Sequence, residues 1–145
     1  LSKANASQNL FDSFQAQAPD LVSKVKASMR DAARLSHLSR EQILDRMNGI
    51  ALVAGVRLTV GNAQTLSSAT LDKWLNPADR EHMPGVLAIN VFCAAVTDPA
   101  PLAVQLAAHG LELLKNEDLF ARDYGRACLA EKEAKKLKRK LESQL

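Results

Sequence analysis

The segment that most constrains this fold lies between Met83 and Pro101. Met83-Pro84-Gly85 precedes a run in which Val86, Leu87, Ile89, Val91, Phe92, Ala95 and Val96 leave almost no polar side. A helix apolar on most of its circumference has to be enclosed by neighbours. The run therefore predicts a central helix with several others packed around it. Asp98-Pro99-Ala100-Pro101 ends this helix and starts the next, because proline suits a first helical turn. That next helix is expected to run to Gly110, a natural residue just past a helix end.

Composition agrees with helix packing. Hydrophobic residues make up 47% of the chain but aromatics only 4%, a balance that favours helices over a sandwich or barrel. A chain of 145 residues can bury one core. Pro19-Asp20 is expected to open a helix to about Ser36, with Leu21, Val25 and Met29 at every fourth residue. Residues 1–18 are polar and small apart from Leu10, Phe11 and Phe14, and read as a flexible N-terminal segment. Ser39-Arg40-Glu41-Gln42 is a capping box that starts a helix carrying Ile43, Leu44, Met47, Ile50 and Ala51 and stopping near Gly55. Residues 56–60 then alternate apolar with polar and are followed by Gly61-Asn62, which fits either a short hairpin or an irregular loop. The expected architecture is all-α: a compact bundle of five to six helices over residues 19–115, followed by a charged helix over 116–145.

Ser67 to Pro77 carries the sharpest functional signal. Leu71, Trp74 and Leu75 fall on one side of a short helix capped by Ser67 or Ser68 and ended by Pro77. Ala69, Thr70, Lys73 and Asn76 lie elsewhere around it. A helix anchored by its second half, with small and polar groups at its start, suits reading of the DNA major groove. Ala69 and the Thr70 methyl can touch a thymine methyl, Lys73 can donate to guanine, and Asn76 can pair with adenine. Arg40, at the start of the preceding helix, is placed to meet a phosphate, as are Ser67 and Ser68. Together the two helices form a helix-turn-helix-like pair, with residues 49–66 holding an inserted loop or hairpin in which Arg57 is the one charged residue. Amphipathic helix pairs also occur in α proteins that bind no DNA.

The order of these motifs resembles a family of small proteins encoded in Mu-like prophages. The resemblance rests on Leu38-Ser39-Arg40-Glu41, then Thr70-Leu71-Asp72-Lys73-Trp74, then Met83-Pro84 with the apolar 86–96 helix, and finally the charged C-terminal helix. It covers roughly residues 20–141 and implies a phage-type DNA-binding or regulatory protein.

Charge is unevenly divided. Residues 131–145 hold six bases against three acids, and residues 1–130 hold 13 of each, so the net +3 belongs to the tail. Lys135, Lys136, Lys138 and Arg139 are either a solvated helix face or an arm that tracks phosphates. Ala127, Ala130, Ala134, Leu137 and Leu141 recur at spacings of three and four, which predicts a homodimer through this helix.

No catalytic or metal-binding pattern accompanies His37, His82 and His109, and no glycine-rich phosphate loop is present. The reading is accordingly not an enzyme, with no metal and no cofactor. Cys93 and Cys128 are widely spaced and fit a reducing cytoplasm. No apolar run is long enough to span a membrane, and residues 1–18 lack a signal-peptide pattern. The leading expectation is a cytoplasmic transcriptional regulator that binds double-stranded DNA. The alternative is a helical adaptor that docks a protein partner through its C-terminal helix without nucleic acid.

Overall fold

A computed structural model describes the backbone of residues 3–145, with the side chains of Asp12 and of residues 14–145. The side chains of Leu10 and Phe11, noted above as apolar, lie outside the described residues. Six helices form among the described residues: α1 (Lys3–Leu35), α2 (Arg40–Ala54), α3 (Ser68–Trp74), α4 (Val86–Val96), α5 (Ala100–Ala107) and α6 (Asn116–Glu142). The fold is all-α, and no strand forms among these residues. The chain divides into two units, Leu1–Glu112 and Leu113–Leu145.

In the first unit α1 packs on α5, α2 packs on α4, and α3 lies against α2. The apolar run around Val91 is enclosed from Ala88 onward, whereas Val86 and Leu87 at its start are exposed. Ala88, Ile89, Val91, Phe92, Cys93, Ala95 and Val96 are buried, and Asn90 and Ala94 continue the exposed side that begins with Val86 and Leu87. Val25 and Met29 of α1, Ile43 and Met47 of α2, and Leu71, Trp74 and Leu75 complete the core around α4. Both cysteines are free thiols, Cys93 buried and Cys128 exposed.

The capping box of α2 is complete. The Gln42 backbone N–H donates to Ser39 Oγ at 3.1 Å, and the Ser39 N–H donates to Gln42 Oε1 at 2.9 Å. At the other end Gly55 takes the left-handed conformation (φ 67°) that closes the helix.

Two features differ from the sequence expectation. Pro19 does not open α1 but lies inside it. Its missing N–H leaves the Gln15 carbonyl without its helical donor. Both residues are exposed, so water can satisfy that carbonyl. Residues 55–67 form an irregular loop, one of the two forms that the sequence leaves open. The helix of Ser67–Pro77 is also shorter than its apolar pattern suggests, because α3 ends at Trp74 and Leu75 caps it.

Candidate nucleic-acid interface

The position of α3 is fixed from both sides. Before it, Asn48 on α2 grips the loop: its side-chain amide donates to the Leu66 carbonyl at 3.1 Å and accepts from the Leu66 N–H at 2.8 Å. Leu66 is thereby buried, and Ser67 follows as the helix cap. Ser67 Oγ accepts from the Thr70 N–H at 3.2 Å, and the two hydroxyls lie 3.0 Å apart in a hydrogen bond. Leu71, Trp74 and Leu75 then insert into the core at no more than 5% exposure.

After α3 the chain is tied to α1. Ser23 Oγ donates to the Pro77 carbonyl at 3.4 Å. Lys26, wholly buried, donates its ammonium to the Asp79 carbonyl. The Asp79 carboxylate lies 3.8 Å from the same nitrogen. This carboxylate also accepts the backbone N–H groups of Glu81 and His82, both at 3.0 Å. The His82 ring completes the set at 2.9 Å. Burial pushes the Asp79 carboxyl up, but the hydrogen bonds from His82 and Glu81 outweigh it and hold the group at about 2, below its ordinary 3.8. Burial pulls the Lys26 ammonium below its ordinary 10.5, with the Asp79 charge opposing the shift.

Between these anchors the outer side of α3 faces solvent. Ser67, Ser68, Ala69, Asp72, Lys73 and Asn76 are exposed, and Thr70 is half-buried. Arg40, at the start of α2, reaches α3, its Nε lying 3.9 Å from an Asp72 carboxylate oxygen. Both side chains are solvent-exposed, so this pair adds little stability. It shows instead that the first turn of α2 and the outer side of α3 form one continuous face. Arg57 lies apart from it, on the loop, donating to the Gly61 carbonyl at 3.1 Å. Asn76 is exposed, but its side-chain oxygen already accepts the Ala78 N–H at 3.0 Å.

Lys135, Lys136, Lys138 and Arg139 lie on α6 in the second unit, all exposed. Lys135 pairs with Glu131 at 3.1 Å and Lys138 with Glu142 at 3.9 Å, both within the helix.

The histidines sit in separate settings. His37 holds a left-handed turn between α1 and α2 (φ 58°), His82 binds Asp79, and His109 stacks on Phe14 with ring centres 4.6 Å apart. Among the described residues no group of three or more His, Cys, Asp or Glu side chains is placed to hold a metal ion. No helix among them is long and apolar enough to cross a membrane.

Comparison of the chain with protein-family models, with curated proteins and with solved structures finds no match.

Asn48, Lys26 and Asp79 all position α3, and none of them stands out in the sequence. A lysine one residue after Val25 reads as a solvated position, and Asn48 as one polar residue of an amphipathic helix.

Proposed function

We propose that this chain binds duplex DNA through the exposed side of α3 and the adjacent start of α2, as a transcriptional regulator of phage type. The observation that carries the reading is the continuity of Arg40 with the solvent side of α3, above a helix whose other side is locked into the core. A groove reader needs this rigidity, because base contacts demand fixed side-chain origins. Ser68, Ala69 and Lys73 are the side chains that reach base edges, and Arg40 meets the backbone. Ser67 and Thr70 have their hydroxyls turned to each other and contribute as supports. The resemblance of the motif order to that of small Mu-like prophage proteins points to the same reading.

The body of the chain is electrically neutral and Asp72 is exposed beside Arg40. Affinity therefore depends on a few placed contacts and on the basic positions of α6, not on bulk charge. The protein acts in the cytoplasm as a dimer formed through α6.

Fluorescence anisotropy with labelled promoter fragments and random duplex, at two salt concentrations, tests this reading. Lys73→Ala and Arg40→Ala are each expected to weaken binding to the preferred fragment about tenfold, as removal of one good hydrogen-bonding group does. Equal affinity of wild type and both variants for every duplex would remove α3 as the reader. A second reading is favoured by the exposed Phe120, Leu129 and Leu137 of α6, which suit a protein-docking adaptor. Absence of DNA binding at low salt, with a protein partner held by α6, would select it.

A further inference from the structure

No residue of α6 is buried. Its Leu137 and Leu141 are more than half exposed, and Ala127, Ala130 and Ala134 continue the same seam towards the start of the helix. Most helical stability in proteins comes from packing of an apolar side rather than from propensity, so an exposed apolar seam on this helix calls for a cover. We propose that the cover is a second copy of α6 running antiparallel, centred between Ala134 and Leu137. The inference rests on the dimer reading above and adds its direction and register.

The volumes along the seam select the direction. Written as heptads, Ala127, Ala134 and Leu141 are a positions and Ala130, Leu137 and Gln144 are d positions. Two parallel copies in register stack alanine on alanine in three successive layers and leucine on leucine in the next two. One end of such a pair would be too narrow and the other too wide for a single interhelical distance. Turned antiparallel, Ala130 meets Leu141 of the second copy and Ala134 meets its Leu137. All four inner layers then hold one alanine and one leucine, so the two helices keep one spacing throughout.

Charge agrees with that direction. Residues 116–134 carry three bases against five acids, and residues 135–145 carry five bases against one acid. Parallel copies would set the two basic ends side by side. The antiparallel register sets Glu131 beside Lys138 of the second copy and Glu133 beside its Lys140, four Glu–Lys pairs in all. The flanking glutamates and lysines alone would tolerate either direction. The core of a parallel pair, extended one heptad towards the start of α6, would stack Asp123 on Asp123 at a d position, whereas the antiparallel overlap ends before it.

The test uses the full chain with Cys128→Ser and two single additions, Ala130→Cys in a tagged chain and Leu141→Cys in an untagged one. The two chains are mixed, allowed to exchange and oxidised mildly. The antiparallel register puts position 130 opposite position 141 and predicts the mixed disulfide. Like positions are then about 16 Å apart along the helices, at roughly 1.5 Å per residue, beyond the roughly 7 Å that a disulfide spans. Homodisulfides alone would establish the parallel arrangement and overturn the proposal. So would a sedimentation mass of 15.7 kDa for the unmodified chain in place of twice that value, since the seam would then be covered within the chain or by another protein. Leu137→Glu is expected to halve the mass and Leu129→Glu, off the seam, to leave it unchanged. None of these readouts involves DNA, so a failure of the DNA reading and a failure of this one are distinguishable.

Discussion

Asn48 pairs with Leu66 as one strand pairs with another, accepting the backbone N–H at 2.8 Å and donating to the carbonyl at 3.1 Å. This two-way bond ends the 55–67 loop at a fixed point on α2 and sets where α3 begins. Asn48→Ala leaves both groups of the buried Leu66 without partners. A loss of about 1–3 kcal/mol is expected for each such group that water cannot reach. Urea denaturation would show the total, and hydrogen exchange would show the Leu66 amide losing its protection. Wild-type protection at Leu66 in the variant would mean that another group holds the loop.

Asp79 makes stability depend on acid. Its carboxyl is held at about 2 in the fold against an ordinary 3.8, so the folded state holds its charged form. The contribution is complete above the ordinary value and disappears as the pH falls through about 2. Thermal melts of wild type and Asp79→Asn are expected to differ at neutral pH and to converge as the pH approaches about 2. A constant difference across that range would assign the effect to hydrogen-bond geometry alone.

Thr97 and Gly55 close their helices in the same way and with unequal comfort. Both take left-handed φ, 56° and 67°, and in each case the following N–H bonds five residues back at 3.0 Å, Asp98 to Cys93 and Val56 to Ala51. A β-branched residue is strained there, whereas glycine is not. Thr97→Gly is expected to raise stability by about 1 kcal/mol, and Gly55→Ala to lower it by a similar amount. Differential scanning calorimetry of the two variants reads both signs.

Asn76 has a structural duty that its position in the Ser67–Pro77 motif conceals. Because its side chain accepts the Ala78 N–H, Asn76→Ala is expected to cost about 1 kcal/mol of stability as well as any hydrogen bond to adenine. Lys73→Ala leaves stability unchanged. Comparing the two by both melting and DNA titration separates reading from support.

The outer positions of the tail report on phosphate binding without touching the proposed seam. With Lys135, Lys136 and Arg139 changed to alanine, the slope of log affinity against log salt is expected to become shallower. The change is about 0.9 for each phosphate that the variant no longer neutralises. An unchanged slope would confine α6 to assembly.

The helical class, the enclosed helix around Val91, the capping box at Ser39 and the apolar side of α3 are all legible along the chain. Each follows from periodicity or from groups a few residues apart. Pro19 misleads for the same reason. A proline favours a helix start, but a carbonyl exposed to water lets the helix run through it. The alternation at 56–60, with Gly61-Asn62 and residues 63–66 after it, leaves hairpin and loop equally open. In the fold the loop is held at its far end, where the Asn48 side chain of α2 bonds Leu66. Three pairings appear in no local pattern: Lys26 buried against Asp79, Asn48 clamping Leu66, and Arg40 meeting the outer side of α3. Those pairs lie 53, 18 and 32 residues apart. A polar residue gives no local sign of a distant partner, since the bond that makes burial tolerable exists only once the chain has folded.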